Sequence, residues 1–301
     1  MQRRKLILPV VGLSLMTVIS AVAGLNMALP SMARETGATQ AQLTWIIDAY
    51  TVVFASLLFL AGAIGDKYGR KRILAFGLLW YAVVAAFGLF VTDPTHLIIV
   101  RTCMGVGAAA IMPSTLSVIT TSFEGEERGK AIGIWVGIAG GGAVIGLFGT
   151  AILLEFYAWN SFFALNMVLA TLGLIGTLAV LPESKEVATH RLDWIGALLT
   201  IVGVGAAVFG IIEGPEKTWG SPITISALGI GIVGIVLFII WELRQEHPLL
   251  DPRLFRNRTF AAGSLAIMLQ FFGLFGMIFA VVAVEDLDAA VVARGGGQGK
   301  R

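Results

Sequence analysis

Long apolar stretches recur along the whole chain and are separated by short polar connections. Each stretch has about 20 residues, which as a helix cross a hydrocarbon core of roughly 30 Å. The stretches lack the alternation of apolar and polar residues that is typical of barrel strands. Inside lipid there is no water to bond the backbone N–H and C=O groups, so these groups must pair within the segment, and we expect helices. The predicted spans cover residues 6–29, 42–65, 73–91, 96–121, 129–153, 160–181, 192–212, 223–242 and 260–284.

Composition supports a protein that is solvated by lipid. Of the 301 residues, 57% are hydrophobic and only 13% are charged, which is too little polar surface for a soluble domain of this length. The predicted fold class is therefore an all-α integral membrane protein with about nine transmembrane helices. A formal net charge of +2 gives no indication of a nucleic-acid partner. One cysteine, and three histidines in separate loops, predict neither a disulfide nor a metal site.

The lysines and arginines of the connections between spans fall almost entirely on one side of the membrane. With the N-terminus in the cytoplasm, fifteen of them lie inside, and only Arg34 and Lys217 lie outside, leaving aside the residues after the ninth span. Cytoplasmic loops carry such an excess of basic residues. We therefore expect a multi-pass protein of the plasma or inner membrane with a cytoplasmic N-terminus.

The connection between the second and third spans combines glycines, cations and one acid. Glycines permit a tight turn and a close approach of helices, and an acid among cations can form charge-assisted hydrogen bonds that lock a helix end. A basic anchoring loop would explain the cations but not the embedded acid. The residues of this motif are Gly62, Gly65, Asp66, Gly69, Arg70 and Lys71.

This order of residues resembles the loop signature between helices two and three of the major facilitator superfamily. Other stretches resemble its fourteen-span drug/proton antiporter branch, the EmrB/QacA type, and the resemblance runs from about residue 6 to 282. It implies a major-facilitator-type helix bundle in which the loop motif acts as a gate. The stretches that carry it are residues 26–30, 45–50, 101–109, 181–184 and 247–255.

The resemblance implies a proton-coupled exporter of amphipathic or cationic small molecules, with the lipid bilayer, protons and the substrate as partners. Three positions depart from the branch pattern: Ala21 replaces an acid, Met104 replaces a glutamine and Leu147 replaces a proline. These departures leave the coupling ion and the direction of transport open. No Walker loop, His-Glu-x-x-His or Ser/His/Asp arrangement is apparent, so we expect no enzyme and no cofactor.

Two ionisable side chains, Asp48 and Arg101, lie inside predicted spans. Such groups cost several kcal/mol in lipid unless they are paired or hydrated. Both lie about five residues from the outer end of a span that runs from outside to inside, so they share one depth. We hypothesise that Asp48 is the counter-ion of Arg101 and carries the coupling proton. The alternative is that Asp48 is hydrated at the interface near Trp45.

Small residues within the spans are candidates for helix packing, because they let helix backbones approach closely. A row of three glycines spaced four apart in the fifth span indicates either packing or a flexing gate. The pattern Gly-x-Gly-x-x-Gly at 229–234 lies inside a span and is interpreted as packing rather than nucleotide binding. The packing candidates in spans four and five are Gly105, Gly107, Gly133, Gly137, Gly141 and Gly146.

The resemblance also divides the chain into segments. Residues 1–181 form a six-helix bundle, 182–250 two extra linker helices, 251–284 the first helix of a second bundle, and 285–301 an atypical polar, glycine-rich tail. Family members continue for about five further spans, so we expect a C-terminally truncated chain, with a naturally short protein as the alternative. The alternative function is that of a transport-inactive fragment or a membrane partner of a full-length transporter.

Overall fold

Helices account for the regular secondary structure in the computed structural model, which describes residues 2–183, 193–246, 248–273 and 276–277. Eight of them are long and apolar enough to cross a membrane, which confirms the predicted all-α membrane fold. They belong to the first of two compact units, Met1–Asp251. The helices are α1 (Gln2–Thr36), α2 (Gln40–Tyr68), α3 (Arg70–Gly88), α4 (Pro94–Ser122), α5 (Gly125–Phe156), α6 (Ser161–Val180), α7 (Trp194–Lys217) and α8 (Pro222–Glu242).

The second unit, Pro252–Arg301, begins with a short 3₁₀ helix, Pro252–Arg256. Residues 258–273 are helical, and the side chain of Asn257 caps them by accepting a hydrogen bond of 2.9 Å from the N–H of Thr259. The predicted ninth span therefore begins as a helix. Most of its remainder, together with the tail 285–301, lies outside the described residues.

Polar residues in the connections determine where several helices begin. Thr39 and Gln42 form a capping box at the start of α2. Asp93 caps α4, and the backbone N–H of His96, which donates to its carboxylate at 3.0 Å, lowers the pKa of Asp93. Ser221 caps α8 in the same way. These caps satisfy N–H groups that the first helical turn leaves unpaired.

Helix α4 packs against α2 and α3 through glycines. A Cβ built on Gly105 would lie 2.6 Å from the carbonyl oxygen of Tyr50, and one built on Gly107 would lie 3.1 Å from the carbonyl oxygen of Gly77. Neither position has room for a side chain. The absence of a Cβ therefore lets the backbone of α4 reach those of both neighbours.

Helix α5 packs against α1, and the contact again depends on glycine. A Cβ on Gly146 would lie 2.7 Å from the Cα of Ser20, and one on Gly142 would lie 3.1 Å from the Cβ of Ile19. Both glycines lie on the buried face of α5 together with Ala139. The two helices consequently meet almost backbone to backbone.

The glycine row at 133, 137 and 141 does not form this contact. A Cβ on Gly133 or Gly137 would meet no atom of the structure within 4 Å, and one on Gly141 would meet only the methyl of Met16, at 3.7 Å. Among the described residues no neighbouring helix packs on Gly133 or Gly137, because the face of α5 that turns towards α1 runs through Gly142 and not through the row. The packing role of these two glycines stays a prediction. The alternative, a flexing gate, stays a prediction.

Helices α7 and α8 form a close antiparallel pair. A Cβ on Gly234 would lie 2.7 Å from the Cα of Gly203, and one on Gly231 would lie 2.7 Å from the Cα of Ala207. This contact explains the glycines at 231 and 234 as packing residues, as predicted. Helix α7 also packs against α2, where Trp45 and Phe209 have ring centroids 5.4 Å apart.

Substitution of Gly146 by alanine should lower the free energy of unfolding by about 1–3 kcal/mol, because the methyl group overlaps the backbone of Ser20. Gly137→Ala is the matched control on the same helix, where the methyl group meets no atom and helix propensity improves. Thermal unfolding of the purified protein in detergent, followed by circular dichroism, measures both. Equal stability of the two variants would contradict the close contact between α1 and α5.

Candidate functional site

A single residue, Gly69, connects α2 to α3. Its φ of 117° lies in the region that L side chains rarely adopt, and a Cβ there would press on the carboxyl group of Glu183, whose Cδ would be 2.9 Å away. The N–H of Gly69 donates to the carbonyl of Gly65 at 3.0 Å, and its own carbonyl accepts from Ile73 at 3.1 Å. The turn is therefore tight and requires glycine at this position.

Asp66 joins three helices at this turn. Its Oδ1 accepts hydrogen bonds from Nε of Arg70 at 2.8 Å and from the hydroxyl of Ser117 on α4 at 3.2 Å. Nη2 of Arg70 lies 2.8 Å from the same oxygen, and the Arg70 side chain is only 8% exposed. The embedded acid thus forms the charge-assisted hydrogen bonds that its position among cations suggested.

Lys71 of the motif and the neighbouring Arg72 contact the end of α6 and the segment that follows it. Nζ of Lys71 donates to the carbonyl of Leu178 at 3.0 Å, where a cation complements the partial negative charge of a helix C-terminus. Nε of Arg72 lies 3.3 Å from the carboxylate of Glu183. Glu183 was not among the predicted site residues. The sequence held two signals for it: Glu183 lies in the stretch 181–184 that carries the resemblance, and it directly follows span six on the side where the cations gather.

The other two glycines of the motif lie beside α4 with space to spare. A Cβ on Gly62 would lie 3.7 Å from the Cβ of Pro113, and one on Gly65 would lie 3.6 Å from the hydroxyl of Ser114. These are ordinary van der Waals distances. The sequence suggested that all three glycines of the motif are needed. Among them, the structure requires glycine at position 69 and leaves room for a methyl group at positions 62 and 65.

A second cluster surrounds Arg101, which is 1% exposed. Its Nε donates to the carbonyl of Ile46 on α2 at 2.9 Å. The guanidinium carbon lies 4.4 Å from the ring centroid of Tyr50 and 6.0 Å from that of Phe162 on α6. Nη1 is buried and has no hydrogen-bond partner among the described residues. Arg101 is thus a buried cation with one donor group still uncommitted.

Two buried tyrosines extend this cluster to α1. The hydroxyl of Tyr50 donates to the carbonyl of Val18 at 3.1 Å, and the hydroxyl of Tyr81 on α3 donates to that of Thr17 at 3.4 Å. Sequence analysis did not single out either tyrosine. The signal was available, because a phenolic hydroxyl in the middle of an apolar span needs an acceptor.

The structure brings Asp48 into the surroundings of Arg101. Asp48 is half-buried, follows Ile46 by two residues, and attracts the Arg101 guanidinium electrostatically. The main contacts of that guanidinium are nevertheless the Ile46 carbonyl and the aromatic rings. The shared depth of Asp48 and Arg101 agrees with the hypothesis, and the proton-carrying role of Asp48 stays a prediction.

Membrane-length helices packed around a buried arginine define a multi-pass helical membrane protein. The family model described as Major Facilitator Superfamily matches residues 11–293, and the chain belongs to this superfamily. This is a family of transporters, so the chain is not an enzyme.

Three curated relatives are resistance proteins. The chain is 36% identical over 253 residues to puromycin resistance protein pur8 of Streptomyces alboniger, covering 84% of this chain and 50% of the relative. It is 32% identical over 268 residues to multidrug resistance protein Stp of Mycobacterium tuberculosis, covering 89% and 50%. It is 29% identical over 274 residues to the methylenomycin A resistance protein of Bacillus subtilis, covering 91% and 59%. The chain thus spans about half the length of the curated relatives it matches.

Substitution of Asp66 by asparagine should destabilise the fold by about 1–3 kcal/mol, because it replaces the charged acceptor that Arg70 and Ser117 share with a neutral one. Arg72→Gln in the same turn is the control: Arg72 is 73% exposed, and an exposed ion pair contributes about 0–1 kcal/mol. Thermal unfolding of both variants in the same detergent tests the difference. If Arg72→Gln were the more damaging change, the central role of Asp66 in this turn would be excluded.

Proposed function

We propose that the chain acts in proton-coupled export of amphipathic or cationic small molecules, in the fourteen-span drug/proton antiporter branch of the superfamily. Support comes from family membership and from relatives whose names record resistance to puromycin, to multiple drugs and to methylenomycin A. Resistance by a membrane transporter is most simply achieved by moving the compound out of the cell.

The observation that carries the proposal is the buried Arg101 cluster. A guanidinium inside a membrane bundle is costly, and such groups mark substrate, ion or proton pathways. Here an uncommitted Nη1 and two aromatic faces are combined with an acid at the same depth. In the proposed cycle, ionised Asp48 holds Arg101 towards α2, and protonation of Asp48 weakens that attraction. The protonation state of Asp48 then controls the position of the Arg101 side chain and of the aromatic rings beside it.

The proposal extends to the domain organisation. Helices α1 to α6 form the first bundle, α7 and α8 are the inserted pair, and residues 251–284 begin a second bundle. The N-terminus and the α2–α3 turn face the cytoplasm, where the loop motif with Asp66 and Arg70 acts as a gate that alternates between open and closed states. The glycine row of α5 supplies flexibility, because among the described residues no neighbouring side chain lies against Gly133 or Gly137.

Transport is tested with the purified chain reconstituted into lipid vesicles that carry a pH gradient. We expect a fluorescent cationic dye to move against its own gradient in exchange for protons, and Asp66→Asn to slow this movement at least several-fold. Arg72→Gln should transport normally. Dye movement that is insensitive to the pH gradient, or unaffected by Asp66→Asn, would argue against the proposal. The absence of any movement would favour the transport-inactive alternative.

The pairing of Asp48 with Arg101 is tested by a double-mutant cycle. Asp48→Asn should leave a buried positive charge less well balanced, and Arg101→Met should remove that charge while it preserves much of the volume. We expect a coupling free energy of about 0.5–3 kcal/mol between the two changes, measured by thermal unfolding in one detergent. Strictly additive effects would show that the two side chains do not interact.

A further inference from the structure

The α7–α8 pair buries two glutamates in opposite environments. Glu213 is 2% exposed and forms an ion pair with Lys217, whose Nζ lies 2.9 Å from its carboxylate. Glu242, the last residue of α8, is 1% exposed, and neither of its carboxyl oxygens makes a hydrogen bond within the part of the chain that the structure describes. Among the described residues, Glu213 therefore has a cation beside it and Glu242 has none.

The carboxyl group of Glu242 points at the start of α7, where a second acid already lies. A Cβ built on Gly196 would lie 2.5 Å from Oε1 of Glu242 and 2.7 Å from Oδ2 of Asp193, so both carboxyl groups occupy the space beside the same glycine. Asp193 accepts hydrogen bonds from the N–H of Gly196 at 2.9 Å and from the indole N–H of Trp241 at 2.8 Å. Asp193 therefore acts as an acceptor with both of its oxygens.

The charged groups that face Glu242 from the described residues are acids. Asp193 at the start of α7 and Asp251 in the segment after α8 both repel a negative charge on it. The backbone N–H groups of Leu249 and Leu250 lie near Glu242 and oppose this repulsion in part, although neither carboxyl oxygen has a hydrogen-bond partner among the described residues. An ionised Glu242 would therefore be a buried carboxylate next to two like charges, which is among the costliest arrangements in a protein.

We infer that Glu242 is a proton-binding site, in which its carboxyl group holds a proton at neutral pH and presents it to the carboxylate of Asp193. One proton removes the buried charge and supplies the missing donor between the two acids. A metal ion is a poorer occupant, because the described residues contain no group of three or more potential ligands placed to hold one. The site is separate from Asp48 and Arg101 and does not depend on the proposed transport function.

Proton binding at this site has a mechanical consequence for the helix pair. With the proton in place, the start of α7 and the end of α8 are joined by a hydrogen bond between acids. When the proton leaves, two adjacent carboxylates repel each other at the same point. The closure of this end of the pair should therefore depend on the pH of the compartment that it faces.

Infrared difference spectroscopy of the purified full chain tests the inference. At neutral pH we expect the carbonyl stretching band of a protonated carboxylic acid in the wild-type spectrum, with a component that disappears in Glu242→Gln. Glu213→Gln is the matched control and should leave that component unchanged, because Glu213 pairs with Lys217 near the end of α7 and does not adjoin Glu242. A spectrum that is identical in wild type and Glu242→Gln would overturn the inference.

Two further measurements keep the inference testable if Glu242→Gln does not fold. Asp193→Asn keeps Glu242 in place and changes its hydrogen-bond partner, so the band should shift; an unmoved band would contradict the proposed contact. Thermal unfolding supplies the second measurement. Unfolding lets Glu242 release its proton to water, so wild-type stability should fall relative to Glu242→Gln as the pH rises from about 5 to about 8. A difference in Tm that stays constant across this range would also overturn the inference.

Discussion

Burial of one guanidinium is the constraint around which the first six helices are arranged. Arg101 on α4 is buried and needs an acceptor and a polarisable environment, and it finds a carbonyl on α2 and aromatic faces on α2 and α6. The tyrosine that covers it must in turn satisfy its own hydroxyl, which it does on α1. The contacts of Arg101 and Tyr50 thus form a polar network that links α4 to α2 and α2 to α1.

Close backbone contact supplies the remaining cohesion. Lipid chains are as apolar as the side chains they touch, so burial of leucine gives little reason for helices to associate. Gly105 of α4 and Gly146 of α5 let backbones come together instead, and these contacts leave no room for an added methyl group. The same principle joins α7 to α8 through Gly203 and Gly234. The bundle is therefore held by shape and hydrogen bonding more than by hydrophobicity.

Features that depend on local sequence were predictable. Span positions follow from hydrophobic length, and Thr39 or Asp93 marks a helix start because a cap acts within three residues. Features that depend on a distant partner were not. Asp66 was predicted as the centre of its motif, but Ser117 and Glu183 reach the motif from α4 and from the segment after α6.

The glycine row shows a different limit of prediction. Periodicity assigns Gly133 and Gly137 to one face of α5 but does not say which face meets a neighbour. That choice depends on the packing of α1, which runs along Gly142 and Gly146. Glu242 escaped prediction for a related reason. A residue at the end of a span is ordinarily exposed to water. Glu242 is buried instead, because α7 begins directly beside it.

The single glycine between α2 and α3 limits how these helices can move. With one residue outside the two helices, a change in the angle between them must come almost wholly from the two torsions of Gly69 and those next to it. Asp66 and Arg70 span this pivot with a short ion pair, so a change in angle lengthens or breaks that pair. Any movement between α2 and α3 would therefore be concentrated at Gly69 and opposed by the ion pair of Asp66 with Arg70 and by the contacts of Lys71 and Arg72.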